Sequence, residues 1–257
     1  MSHLPQAPQR PTELIKLSFH QWKETFKSTF LVVILIVAFR MVGSYFPASS
    51  LLTLKWNVFN VHLLVAFAFF LLELWLWSWM LIQTYDVWKH EGLSLKAGAL
   101  KAVRLLPKVV LGFALLLLIV GLATFVGYWL GLITLHYLPQ KLHVDMVNFM
   151  FLAVFYLYTV VLFLVALPLI VVDQRSIFTA FAESARITVR HWFIGFGGYV
   201  ASIAIAFVLI AANHFEDRFG LPSFIRVLVE ILCFFIFVPV VVNYVLLIMN
   251  DLILRGE

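Results

Sequence analysis

The chain has 257 residues, 63% of them hydrophobic and only 12% charged, against about 45–50% and about 25% in an ordinary soluble domain. With 26 Phe and 8 Trp there is too little polar surface to cover a water-facing body, so a soluble globular fold is excluded and lipid is the expected solvent. The net charge is +5, and its meaning depends on where the cations fall along the chain. One cysteine, Cys233, lies in an apolar run, which excludes an internal disulfide.

Taken in order, Pro5, Pro8 and Pro11 make residues 1–11 a poor helix and predict a disordered tail. From there to Lys27 the pattern is amphipathic. Ile15, Phe19, Trp22 and Phe26 recur at helical spacing, and Lys16, His20, Lys23 and Lys27 repeat that spacing one position along, about 100° around the helix. About 20 mostly apolar residues cross a bilayer, and six segments qualify: 28–47, 60–84, 108–132, 147–172, 191–213 and 227–250. The first could be mistaken for a secretory signal, but 27 residues precede it, Arg40 interrupts it and no A-x-A-like site follows. Pro168 is expected to kink the fourth span, because proline lacks the N–H for the carbonyl four residues back. The expected fold is all-α: a bundle of six transmembrane helices forming one integral-membrane domain over 1–257, with amphipathic cytoplasmic helices before spans 1, 3 and 5.

Lys and Arg mark cytoplasmic connections. The tail, the stretches around 85–108 and 173–190, and the C-terminus together hold thirteen cations, and the other three connections hold four: Lys55, Lys141, Arg218 and Arg226. Both termini are therefore expected in the cytoplasm. The basic residues before the odd-numbered spans, Lys16, Lys23 and Lys27, then Lys101, Arg104 and Lys108, then Arg186 and Arg190, are expected to lie over anionic headgroups, with neighbouring aromatic and aliphatic residues inserted. The companion apolar stripes are Leu95, Ala99, Ala102, Val103 and Leu106 in the second segment, and Ile177, Phe181 and Ala185 in the third. Pairing Ser94 with Ser176 sets Arg104 against Arg186 at an offset of 82, and Ser18 sits 84 before Ala102. Two readings stay open: a threefold repeat of about 83 residues, or the ordinary basic flanks of any bacterial membrane protein.

Within the membrane, Arg40 lies roughly 18 Å and Glu73 roughly 16 Å from the cytoplasmic side, so an Arg40–Glu73 ion pair is expected. It either pins the first hairpin or belongs to an ion or proton path. The scarcity of other titratable groups at that depth favours the pin. His62, His136, His143 and His214 fall on the outer side with Asp145, Glu216 and Asp217; their spacing matches no compact metal motif, and no metal or cofactor is expected. Nucleotide, serine-hydrolase and paired-cysteine signatures are absent, so no enzyme and no catalytic residue is expected. Gly121, Thr124, Gly127, Gly131 and Thr134, and separately Gly198, Ser202 and Ala206, form small-residue seams for helix packing.

Two segments, S-L-K-A-G-A-L-K-A-V-R-L-L-P-K from Ser94 and A-L-P-L-I-V-V-D-Q-R-S-I-F-T-A-F-A-E-S-A-R from Ala166, resemble the YciC family of small bacterial inner-membrane proteins, and the likeness extends over nearly the whole chain. The layout is also similar to the membrane region of some bacterial glycerophosphodiester phosphodiesterases, whose catalytic domain has no counterpart here. The resemblance implies a multi-pass protein of the bacterial inner membrane and lends no catalytic residue; it sets no requirement for Arg40, Glu73 or the outer histidines. The expected function is non-enzymatic, through membrane lipids, envelope-protein partners or self-association, with no nucleic acid involved. The alternative is an ion or small-molecule transporter using Arg40 and Glu73.

Overall fold

A computed structural model describes residues 5, 7–44, 56–137, 144–197, 200 and 223–256. All regular structure among the described residues is α-helical: α1 (Pro11–Ser44), α2 (Trp56–Lys89), α3 (Leu95–Tyr137), α4 (Val144–Leu162), α5 (Ala166–Val171), α6 (Ile177–Arg190) and α7 (Ser223–Gly256). Residues 192–197 are helical as well.

Helices α1, α2 and α7 have 34 residues each and α3 has 43, about 51 and about 65 Å at 1.5 Å per residue. Hydrocarbon is about 30 Å thick, so each outruns it by some 20–35 Å. The amphipathic segments before the first and third spans are accordingly not separate helices: each is the first part of α1 or α3. Proline accounts for one start. Pro11 opens α1 where its missing N–H leaves no bond unmade, and the Arg10 N–H donates to the Glu13 carboxylate at 3.0 Å. Ser94 caps α3, its hydroxyl accepting from the Ala97 N–H at 3.2 Å. The turn between α2 and α3 uses left-handed His90 (φ 55°) and Gly92 (φ 69°) and is tied back by the Asp86 carboxylate, which accepts from the Leu93 N–H at 2.8 Å.

Only the third amphipathic segment is a helix of its own. Gln174 turns left-handed (φ 54°), and Ser176 caps α6 by accepting from the Thr179 N–H at 3.3 Å. The helix stops at His191. Pro168 does more than kink the span before it: α4 ends at Leu162, residues 163–165 form a turn, and α5 restarts at Ala166. The Ala166 N–H donates to Phe163 O at 3.1 Å instead of to the carbonyl four residues back. The carbonyl so released, Leu162 O, is taken up by the Ser184 hydroxyl of α6 at 2.8 Å. A broken helix inside a membrane protein persists when another element satisfies the freed backbone group.

Helix α1 packs on α7 and α2, α2 on α3, and α3 on α4, while α5 and α6 fill the space between α3 and α7. The core is concentrated at the end that holds the start of α1, the α2–α3 turn, α5, α6 and the last turns of α7. Leu14, Met80, Trp88, Ala102, Leu169, Ile170, Leu246, Leu247 and Ile248 are all fully buried. Along the other half of the helices the apolar side chains point outward, from Leu64 (68% exposed) to Phe125 (60%) and Phe149 (71%). There α3 is held mainly by α4. Gly127 and Gly131 of the expected seam are buried, and a Cβ on Gly127 would stand 3.1 Å from Phe151 O of α4. Gly121, in contrast, has open space around it. The second seam, Gly198, Ser202 and Ala206, lies outside the described residues.

Candidate functional site

The three basic segments occupy corresponding places, and the face each turns inward is the same. Leu14, Gly98 and Ala180 are buried, as are Ser18, Ala102 and Ser184, and Gln21, Leu105 and Ile187. Each set is related by the offsets of 84 and 82 found in the sequence, so three chain segments present equivalent positions to one core.

What faces outward differs from the expected stripes in two of the three segments. On α1 the expected apolar stripe is exposed or half-buried: Ile15 and Phe19 are exposed, and Trp22 and Phe26 run in edge contact to Phe30 and on to Phe235 of α7. The face packed against the bundle carries Ser18, Gln21, Thr25 and Thr29. On α3 Ala102 of the expected stripe is buried, whereas Leu95, Leu100 and Val103 are exposed beside exposed Arg104 and Lys108 and half-buried Lys101. On α6 Phe181 enters the core, and Phe178 (78% exposed) and Val189 lie outside with Arg186 and Arg190. Lys16, Lys23 and Lys27 are exposed. In each segment exposed apolar side chains therefore adjoin exposed cations at one end of the bundle.

Two polar networks at this end have no counterpart in the sequence reading. The first joins the chain's two ends. Asp251, 2% exposed, accepts from the Gln9 N–H at 2.6 Å and from Arg255 Nε at 2.8 Å, and an Arg255 guanidinium N–H donates to Gln9 O at 2.6 Å. Asn250 donates to Pro5 O at 3.1 Å, and His191 Nε2 lies 3.3 Å from Arg255 O. Part of the stretch read as a disordered tail is thus seated against α7. Asn243, fully buried, donates to Thr25 Oγ1 at 3.2 Å and to Pro239 O at 2.8 Å, tying α7 to the polar face of α1. The spacing of Asp251 and Arg255, four residues apart in the last turns, was the legible signal for the first network.

The second network surrounds the start of α6. Arg175 stands 3.1 Å from a Glu183 carboxylate oxygen and 4.0 Å from Asp173. Burial pushes the Asp173 carboxyl above its ordinary value, against the opposing pull of Arg175 and Lys89. Arg175, Thr179, Ala182, Glu183 and Arg186 line an open concavity of about 260 Å³.

Of the expected intramembrane pair, Arg40 lies in α1 with its side chain outside the described ones, and Glu73 is half-buried on α2. Their neighbours Phe39 and Phe69 stack with centroids 4.7 Å apart, so α1 and α2 meet near that level. The side chains of His62, His136, His143 and His214 lie outside the described residues, among which no group of three or more His, Cys, Asp or Glu is placed to hold a metal ion.

Four helical stretches, Leu64–Lys89, Leu95–Thr134, Phe149–Val171 and Val238–Arg255, are long and apolar enough to cross a membrane. Their apolar side chains are exposed along one half of the helices and buried where the helices converge. The fold therefore defines a membrane-embedded, all-helical protein. Comparison with protein-family models, with curated proteins and with solved structures finds no match to this chain. The first expected span is helical to Ser44 as the continuation of α1, and the fifth is described only at its start.

Proposed function

We propose that this chain is a six-span protein of the bacterial inner membrane, similar to the YciC family, with both ends in the cytoplasm. In this reading it acts without catalysis by holding anionic lipid against the basic end of its bundle. The observation that carries this is the recurrence, on α1, α3 and α6, of exposed apolar side chains beside exposed Lys and Arg at one end. A lipid headgroup layer satisfies both kinds of surface at once, and each cation near an anionic surface contributes about 1 kcal/mol. The ties between Gln9 and the Asp251–Arg255 pair keep the chain's ends together, which supports placing them on the same membrane face. The excess of cations in the connections supports calling that face cytoplasmic.

The test is full-length protein in nanodiscs of increasing phosphatidylglycerol content, with unfolding followed by tryptophan fluorescence at low and high salt. Stability is expected to rise with anionic lipid and to lose most of that gain at about 1 M salt, where the screening length falls to about 3 Å. The Lys16→Gln, Lys23→Gln, Lys27→Gln triple variant is expected to lose about 3 kcal/mol of the lipid-dependent increment. Equal stability across all lipid compositions overturns the reading.

A further inference from the structure

We infer that α6 carries a discrete site for the phosphodiester of one glycerophospholipid, held by Arg175 and Arg186, with the acyl chains lying along the exposed apolar stripe of the same helix. This rests on the lipid-associating reading above and assigns it a particular ligand group and place.

The concavity of about 260 Å³ between Arg175 and Arg186 is smaller than the roughly 300–1,000 Å³ pocket that encloses a whole small molecule. It suits a headgroup whose chains remain outside. Thr179, Ala182, Glu183 and Arg186 fall at spacings of three, four and seven on one face of α6, and Arg175 joins them from the extended segment just before the helix starts. Arg175 is held in place by Glu183 at 3.1 Å, and a guanidinium has five N–H donors, so its remaining edge stays available to an incoming oxygen. Arg186 is exposed. Thr179 adds a hydroxyl. Ser176 Oγ accepts from the Thr179 N–H at 3.3 Å and lies 2.6 Å from Thr179 Oγ1. With the Ser176 hydrogen given to Thr179, the Thr179 O–H is left to donate outward.

The charges match. Arg175, Arg186 and Lys89 against Glu183 and Asp173 leave one positive charge at this place, which a singly charged phosphodiester neutralises. Asp173 faces Arg175 at 4.0 Å and interacts electrostatically with Lys89 as well. Height and surroundings fit as well. The helix begins a few residues after the apolar stretch Phe149–Val171, which sets it at the membrane boundary. Phe178 and Val189, eleven apart on α6, are 78% and 56% exposed, and Phe193, past the helix end at His191, is 85% exposed, an apolar surface for acyl chains.

Native mass spectrometry of the full-length protein, titrated in detergent with phosphatidylglycerol, tests this. Wild type is expected to keep one lipid under activation that strips the others. Arg175→Gln and Arg186→Gln are each expected to weaken that retention about tenfold, the worth of one charge-assisted hydrogen-bond set. Arg186→Lys, which keeps the charge without the planar fork, is expected to recover part of it, separating loss of the site from loss of the fold. Lys16→Gln with Lys23→Gln is expected to leave the retained lipid in place. Retention unchanged in the Arg175→Gln, Arg186→Gln double variant overturns the site. Equal protection of the wild type by inorganic phosphate or a water-soluble glycerophosphodiester overturns lipid as its occupant. A bundle whose stability ignores anionic lipid but which still keeps one arginine-dependent lipid defeats the general reading and leaves this site standing.

Discussion

Gly98→Ala puts two known effects in opposition at a single atom. In an open helix interior the change is favourable, since alanine exceeds glycine by about 1 kcal/mol. Here α3 lies so close to α2 that a Cβ at position 98 would collide with the Gln83 side-chain amide nitrogen and stand 3.1 Å from Gln83 Cδ and 3.2 Å from Trp79 Nε1. Gln83 and Trp79 are 1% and 5% exposed, so the amide cannot swing into solvent. Its donation to Ser94 O, at 3.4 Å, would be lost with the movement. Overpacking costs about 1–3 kcal/mol and an unpaired buried amide about 1–3 kcal/mol. The long bond places the second cost at the low end. The net expectation is a loss of about 1–3 kcal/mol after the alanine gain is subtracted. Trimming the obstruction reverses the sign: in a Gln83→Ala background, Gly98→Ala becomes favourable by up to about 1 kcal/mol, a coupling of about 1–4 kcal/mol in the four-member cycle. Denaturant unfolding in mixed micelles, followed by tryptophan emission, reads all four proteins. A stabilised single Gly98→Ala variant, or coupling below about 0.5 kcal/mol, refutes the close approach of α2 and α3. Gly121→Ala, on the same helix with open space around it, serves as the comparison and is expected to gain up to about 1 kcal/mol.

Asp251→Ala removes the acceptor shared by Gln9 and Arg255. It is expected to cost about 2–3 kcal/mol, less than a fully buried pair because Arg255 is 25% exposed, and to make the first ten residues susceptible to limited proteolysis; an unchanged cleavage pattern counts against the network. Because burial raises the folded-state pKa of Asp173 above its ordinary 3.8, its contribution to stability is fully present below the unfolded value and is lost as pH rises through the folded one. Wild type should therefore gain on Asp173→Asn as pH falls from 7 towards 4, and a difference that does not move with pH refutes the burial. For the expected intramembrane pair, Arg40→Leu and Glu73→Gln should show coupling in a double-mutant stability cycle, and strict additivity rules the pair out. Ser184→Ala leaves Leu162 O without its hydroxyl donor and should lower stability by about 1 kcal/mol, read by the same unfolding assay.

The medium was legible in composition, because apolar residues at 63% cannot be hidden inside a chain of this length. Four of the expected spans, the second, third, fourth and sixth, coincide with helical stretches long and apolar enough to cross a membrane, because a run of about 20 apolar residues needs no tertiary context to be recognised. The break in the fourth span was anticipated from Pro168, since the missing N–H is a property of the residue itself. That the break is a full turn, with Ser184 on the freed carbonyl of Leu162, depends on α6 lying within reach. Hydropathy alone does not say which helix face turns inward. The apolar stripes were expected among lipid headgroups, and on α6 Phe181 of that stripe enters the core instead. In lipid an apolar stripe is equally comfortable outside, and small or hydrogen-bonding residues allow close helix approach. Thus Ser18, Gln21 and Thr25 pack against the bundle while Ile15 and Phe19 look out.

The offsets of 82 and 84 were visible as the spacing of Ser94 to Ser176, Arg104 to Arg186 and Ser18 to Ala102, and the structure adds that Ser18, Ala102 and Ser184 stand at equivalent buried positions. Their common burial comes from three helices meeting at one core. What the sequence by itself determined is the solvent, the helical architecture and the side of the molecule on which charge gathers, all of which follow from each residue's own chemistry and its neighbours within a few turns. Only the tertiary structure decided which faces meet, that Asp251 joins the two ends of the chain, and that Arg175 and Arg186 enclose a concavity. The meeting of faces and the Asp251 tie join residues far apart in sequence, and the concavity needs Arg175, outside α6, to be brought to Glu183 by the turn before the helix.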